Sequence, residues 1–357
     1  MAESFDEVRP PSMKRRRGGK KKKRRGRVGG PGSVVPEPEF SSYYGRQVVK
    51  APPWENPIAV YLVLGGIAGG SSLLGAGAQL TGNDRLRAST RLTAIGAAGA
   101  GSVALIMDLG RPERFLNMLR VFKLSSPMSV GAWILSGFAS AAGLAAAGEV
   151  DELTGRRLPI PRFARRLLHA ATPVAGLGAA ALGAPLAVYT AVLLSDTSVP
   201  TWNAAKDHLP FVFVSSASLA AGGAAMITTP NDAARPARLL AAAGAAGDVA
   251  AMRALEKGMD PVAQEPLHHG KPGKWLKWSE RLVVAGGIGA LVSRRSRLLQ
   301  AASGAALVAG SALTRFAVLH AGLESAKNPR YTVEPQKRRL EERRSKGEVG
   351  DSVTTAR

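Results

Sequence analysis

The stretch Asp108-Leu109-Gly110-Arg111-Pro112-Glu113-Arg114-Phe115 sets a charged turn between two long apolar runs. An acid at the end of an apolar helix is costly to place near a bilayer and marks a functional candidate. Asp108 is that candidate, and the plain alternative is that it neutralises Arg111 or Arg114 to hold the turn. Two more acids stand in comparable places. Asp196 directly follows an apolar run, where it either passes protons or caps a helix. Asp248 lies inside a weaker run with Arg253 nearby, as an intramembrane proton residue would. Other chemistries find no footing. There is no Walker loop, no nucleophile triad and no His-Glu-x-x-His zinc motif. His169 and His320 fall at opposite faces of the implied topology, and His268-His269 sits in a polar connector, so no metal site is expected.

The elements that must position these residues are apolar helices. Cysteine is absent from all 357 residues, which excludes disulfides and cysteine-held zinc or iron–sulfur clusters within this chain. The formal net charge of +22 is concentrated in the two ends and in short connectors. Residues 1–40 form a low-complexity arm whose Lys14–Arg27 segment is nearly all Lys and Arg. With no apolar face to bury, it is expected to be disordered. Beside a membrane domain the arm reads first as a topology signal touching anionic lipid, worth about 1 kcal/mol per basic residue. A solvated tail is the second reading, and a nucleic-acid arm the least favoured. The first apolar run is too long, and too far from the basic segment, for a secretory signal peptide.

Eight membrane spans are expected, near residues 58–80, 90–108, 127–147, 167–194, 209–229, 236–255, 278–293 and 298–320, with a basic polar tail over 331–357. Each strong run supplies the ~20 apolar residues a bilayer needs. The sixth and seventh are weak, which leaves six spans as the fallback. Asn56 is expected to cap the first helix, with Pro57 in its first turn, and Ser126-Pro127 repeats the pattern for the third. Pro173 and Pro185 predict a kink or a late start in the fourth. Gly65, Gly66, Gly69 and Gly70 predict close helix packing. Ala221-Gly222-Gly223 echoes Ala68-Gly69-Gly70, a faint repeat that suggests two halves of four helices each.

An even span count places both ends on one side, and the basic arm argues that this side is cytoplasmic. The connectors disagree. Arg85, Arg87, Arg156, Arg157, Arg162, Arg165, Arg166, Arg294, Arg295 and Arg297 fall on the opposite side and slightly outnumber the basic residues of the terminus-side connectors. We side with the arm. Asp108–Phe115, Trp54, Asp196 and the C-terminal tail share one face under either orientation.

Trp54-Glu55-Asn56-Pro57, the Tyr61–Gly70 string, Asp108–Phe115 and Ser126-Pro127-Met128-Ser129-Val130-Gly131-Ala132-Trp133 together resemble the NrfD/PsrC family. Leu194-Ser195-Asp196, Pro200-Thr201-Trp202 and Asn328–Val333 fit as well. The resemblance covers roughly residues 43–340. It implies an all-α integral membrane domain, at 41–330, of eight transmembrane helices in two four-helix bundles in the inner (cytoplasmic) membrane. It implies a subunit that exchanges electrons between a ferredoxin-like iron–sulfur partner and the quinone pool, menaquinone or ubiquinone. A molybdopterin catalytic subunit stands beyond that partner, with formate dehydrogenase favoured over polysulfide reductase. No haem is implied, and no nucleic-acid partner.

The resemblance also points to residues. Asn56 and Tyr61 are the nearest matches to a quinone-contacting asparagine and histidine of relatives, so the histidine's role has no direct counterpart here. Tyr189 matches a fourth-span tyrosine that relatives place at the quinone, and Asp108 matches an acid discussed as a proton carrier. Arg111, Glu113 and Arg114 are expected to serve partner docking or the turn itself. Two rival readings stay open: a purely structural anchor, and a proton-translocating module using Asp108 and Asp248.

Overall fold

The computed structural model describes residues 47–347, so the basic arm at 1–40 lies outside the described residues. Those residues are helical and loop structure with no strand. The helices are α1 (Asn56–Leu80), α2 (Asp84–Met107), α3 (Pro127–Leu153), α4 (Arg162–Ser195), α5 (Pro200–Ala204), α6 (Leu209–Thr228), α7 (Arg235–Gly258), α8 (Pro261–His268), α9 (Gly270–Val292), α10 (Arg297–Lys327) and α11 (Arg330–Ser345). A 3₁₀ segment, Pro112–Leu119, follows the charged turn. By length and composition, α1, α2, α3, α4, α6 and α10 can cross a membrane, 6 helices in all.

Local chemistry sets the ends. Gly82, at φ +67°, turns the chain after α1. Asn83 then caps α2, its side chain accepting from the Leu86 N–H at 3.2 Å. Ser126 accepts from the Ser129 N–H to start α3, with Pro127 in the first turn as the sequence predicts. Asn56 does not cap α1. Glu55 holds the N-cap position without a side-chain bond, and Asn56 is already helical. In α4 the helix starts at Arg162, earlier than the apolar run suggests, and runs continuously past Pro173 and Pro185.

α1 packs on α2 and α4, and α3 lies against α4 and α2. In the second half α6 packs on α7 and α10, and α9 on α10 and α7. The halves meet where α1 crosses α6. The echoed small residues make this crossing: a methyl at Gly70 would stand 2.6 Å from Ala221 Cβ, so only glycine admits the approach. Apolar side chains such as Leu73, Val103, Leu144, Val174 and Phe211 face outward, as a lipid-exposed belt requires.

The short helices α5, α8 and α11 gather at the end where α1 begins and α10 finishes. The segment after 330, read from sequence only as a polar tail, is helical through Ser345. Arg330 holds it with two bonds to Glu265, at 2.9 and 3.0 Å. Both side chains are partly exposed, so the pair stabilises by at most about 1 kcal/mol. Arg330→Ala is expected to free α11 to limited proteolysis near Arg338 while leaving the melting temperature of the membrane domain unchanged.

Candidate functional site

The charged turn roofs an apolar cavity. Its walls come from the start of α1, the end of α2, the start of α3 and the end of α4, and it measures about 110 Å³. Tyr61, Tyr189 and Asp108 all line it, so three of the sequence-predicted residues converge. The two tyrosine hydroxyls are hydrogen-bonded to each other, with ring centroids 6.5 Å apart and the rings edge-on. A neighbouring cavity of about 200 Å³ shares Leu105, Met118, Ala132 and Leu135 with it and runs out between α2 and α3. Phe115, Met118 and Leu119, from the 3₁₀ segment, close this second cavity from above.

The sequence motifs explain how the tyrosines fit. A Cβ at Gly131 would collide with the Tyr189 ring, and one at Gly101 would press on the Tyr61 ring at 3.4 Å. Gly131 therefore belongs to its motif because Tyr189 occupies the space of its missing side chain. Ser129 and Trp133 of the same motif both donate to the Val121 carbonyl, at 2.9 and 3.4 Å, and pin the connector beside the roof. Trp54 lines the cavity and stacks on fully buried Trp202 at 5.6 Å. Trp202 in turn donates to the Val318 carbonyl of α10 at 2.7 Å.

Asp108 forms no ion pair with Arg111 or Arg114. Its carboxylate accepts from the Glu55 N–H at 3.3 Å, joining the end of α2 to the start of α1. Partial burial pushes this carboxyl above the usual carboxylate range, and the Glu55 N–H pulls it part of the way back. Arg111, Glu113 and Arg114 are exposed and carry no ion pair among the described residues.

The remaining predicted residues lie elsewhere. Asn56 faces α10, where its Oδ1 meets His320 Nε2 at 2.9 Å, away from the tyrosine pair. Asp196 ends α4, exposed, with its backbone N–H on the Val192 carbonyl at 2.9 Å. Asp248 is buried in α7, but its charged neighbour is Arg315 of α10. Arg253, the sequence neighbour, is exposed. His169 pairs with Asp151 at 2.8 Å, at the opposite end of the bundle from His320. Among the described residues no cluster of three or more potential metal ligands occurs.

Sequence reasoning missed the roof residues Phe115 and Met118 and the whole set of charges at the far end of α2, α3 and α4. The amphipathic run after Pro112 was the available signal for the roof. For the far charges, acids in the last turns of one apolar run and arginines in the first turns of another gave no spacing that pairs them.

A family model described as polysulphide reductase, NrfD, matches residues 46–244. No curated protein matches the chain. The matched stretch contains both tyrosines, Asp108, the charged turn and the small-residue crossing of α1 and α6, and it ends before Asp248.

Proposed function

The chain belongs to the polysulphide reductase NrfD family, and on that premise we propose that it is the membrane anchor and quinone-reactive subunit of a molybdopterin oxidoreductase complex. Its partners are a ferredoxin-like iron–sulfur subunit and a formate dehydrogenase- or polysulfide reductase-like catalytic subunit. The single observation that carries this reading is the hydroxyl pair of Tyr61 and Tyr189 in an apolar cavity beside Asp108.

The cavity suits a quinone ring: apolar walls, two phenol hydroxyls able to donate or accept, and an apolar extension toward lipid for an isoprenoid tail. A bound quinone supplies the chemistry of taking up electrons and protons together. Tyr61 and Tyr189 orient the ring through their hydroxyls and hold a proton at Oη. The packed walls exclude water. Asp108 carries protons between the exposed face and the tyrosines, and its raised carboxyl lets it hold a proton nearer neutral pH than a free aspartate does. Arg111, Glu113 and Arg114 offer an exposed charged surface for the iron–sulfur partner directly above.

We further read the membrane domain as eight spans in two four-helix bundles, adding α7 and α9 to the six apolar helices. Each packs on both sides within the second half, and α9 exposes Val284, Ile288 and Leu291 as a lipid-facing stripe. The ends are read as cytoplasmic and the membrane as the inner one. Four of the ten opposite-side arginines that argue against this have partners of their own: Arg85 with Asp232 at the surface, Arg87 with Glu149, Arg165 with Asp151, and Arg297 with the Met226 and Thr229 carbonyls.

A quinone-analogue titration of the purified complex tests the reading. Saturable binding that is lost on Tyr61→Phe supports it, whereas no binding assigns the chain to a purely structural anchor. Asp108→Asn is expected to lower quinone turnover about tenfold, less than the roughly hundredfold or more of an acid–base group in contact with substrate, because Asp108 acts through the tyrosines, while dye-linked catalysis by the partner stays intact. If Asp108→Asn instead prevents assembly, Asp108 is the clasp between α1 and α2 and no more.

A further inference from the structure

The second half carries its own cavity at the same end of the molecule as the tyrosine pair. It lies between α7, α8, α9 and α10, measures about 280 Å³ and is lined by charged and polar groups set among apolar ones. Asp248 stands at its buried end, 5% exposed, and Glu256 and His268, 3.6 Å apart, stand toward the outer end. Eight residues of helix separate Asp248 from Glu256, a depth of about 12 Å at the ordinary rise. Arg253, Lys277 and Glu280 supply the other charges. A space of this size with this many polar groups has room for several waters.

What lies behind Asp248 is unusual. Arg315 of α10 is fully buried, with its guanidinium 3.7 Å over the Phe213 ring and Nη2 donating to the Phe213 carbonyl at 2.7 Å. Asp248 Oδ1 and Arg315 Nε and Nη1 all lack a hydrogen-bond partner. The acid and the guanidinium are thus electrostatic neighbours without direct contact. A buried acid locked in a hydrogen-bonded salt bridge keeps its charge. Here the cation has a ring and a carbonyl of its own, so its stabilisation survives when the acid changes charge. The orphaned Asp248 oxygen belongs to a residue that lines this cavity, and such a buried polar atom calls for water. Ser279 and Thr314 are bonded at 2.6 Å in the cavity wall, with Ser279 anchored on the Gly310 carbonyl.

We propose that Asp248 is the proton-accepting end of a water-filled vestibule opening on the face that bears Asp108 and Asp196, with Arg315 as its fixed counter-charge. A proton moves from vestibule water to the Asp248 carboxylate, leaving hydroxide equivalents to the bulk on that face. Glu256 and His268 relay it at the mouth. The site lies outside the stretch matched by the family model, and it does not rest on the quinone reading.

Two measurements on the full-length chain in lipid nanodiscs and sealed vesicles test this. The first is an infrared pH titration. The wild type should show a carboxylic-acid carbonyl band that responds to pH. Asp248→Asn should lose that band, and Asp248→Glu should keep one at a displaced frequency. A wild-type spectrum without the band, or one unchanged in Asp248→Asn, overturns the proposal. The second exploits the absence of native cysteine. Met252→Cys should react with a charged, membrane-impermeant thiol reagent from the side of the chain ends only, while Leu307→Cys in the packed core stays unlabelled. Failure of Met252→Cys to react from that side shows a dry cavity and overturns the proposal even if Asp248→Asn does not fold. Neither readout involves quinone, so a failed quinone titration leaves this result standing.

Discussion

Tyr61→Phe should lower quinone reduction by the assembled complex about a hundredfold, the scale on which a positioned proton donor acts. The ring is almost fully buried, at 3% exposure, and fills the space left by Gly101, so phenylalanine keeps the packing. Only the hydroxyl facing Tyr189 is lost, and the stability cost is about 1 kcal/mol. Tyr189→Phe should reproduce the defect for the same reason. The double variant should be little worse than either single one, because the two hydroxyls act as one hydrogen-bonded unit. Steady-state assays with quinone and with an artificial dye acceptor separate the outcomes. Loss with both acceptors would point to assembly. Unchanged quinone turnover in both single variants would reduce the pair to a packing contact between α1 and α4.

Glu149→Ala should destabilise the membrane domain by about 3–5 kcal/mol, the usual consequence of removing one partner from a buried ion pair. Glu149 is 2% exposed in the last turns of α3. It accepts from Arg87 Nε and from Arg91 Nη1, each at 2.7 Å. Arg91 also reaches Gln79 of α1, and Gln79 Nε2 donates to the Pro173 carbonyl of α4 at 3.2 Å. One carboxylate thus ties four helices at the end remote from the tyrosines. Without it buried Arg91 loses its counter-charge and keeps only Gln79, while Arg87 retains Asp84 and Glu152. Thermal unfolding in mild detergent reads the loss. Adding Arg91→Met to Glu149→Ala should recover part of the lost stability, since replacing both buried charges by apolar groups is far less costly than orphaning one. A Glu149→Ala protein that melts with the wild type would show that water reaches this end and solvates the arginines.

These two sites differ in how legible they are from sequence. Tyr61, Tyr189 and Asp108 stand out because each lies at a fixed place in a recognisable string, and the topology alone brings those strings to one face. Glu149 and Asp151 close the third apolar run, so reading from sequence ends that span near residue 147. The helix continues through Leu153 with both acids buried. Their partners, Arg87, Arg91, Arg165 and His169, come from other helices. A charge deep in a membrane helix is tolerable only when a counter-charge from elsewhere meets it, and one strand of sequence does not record where elsewhere is.

By itself the sequence determined the helical class, the main apolar runs, the Ser126-Pro127 start, the small-residue crossing and the family. All of these depend on composition and on neighbours within a few residues, where hydrophobic run length, proline geometry and missing side chains act directly. Only the tertiary structure decided that Asn56 meets His320 instead of capping α1, that Asp108 bonds the Glu55 N–H instead of an arginine, and that Asp248 answers to Arg315 and not to Arg253. Groups on the same short turn compete for each partner with groups tens to hundreds of residues away. In a packed, low-dielectric interior the winner is whichever group the helix crossings bring nearest.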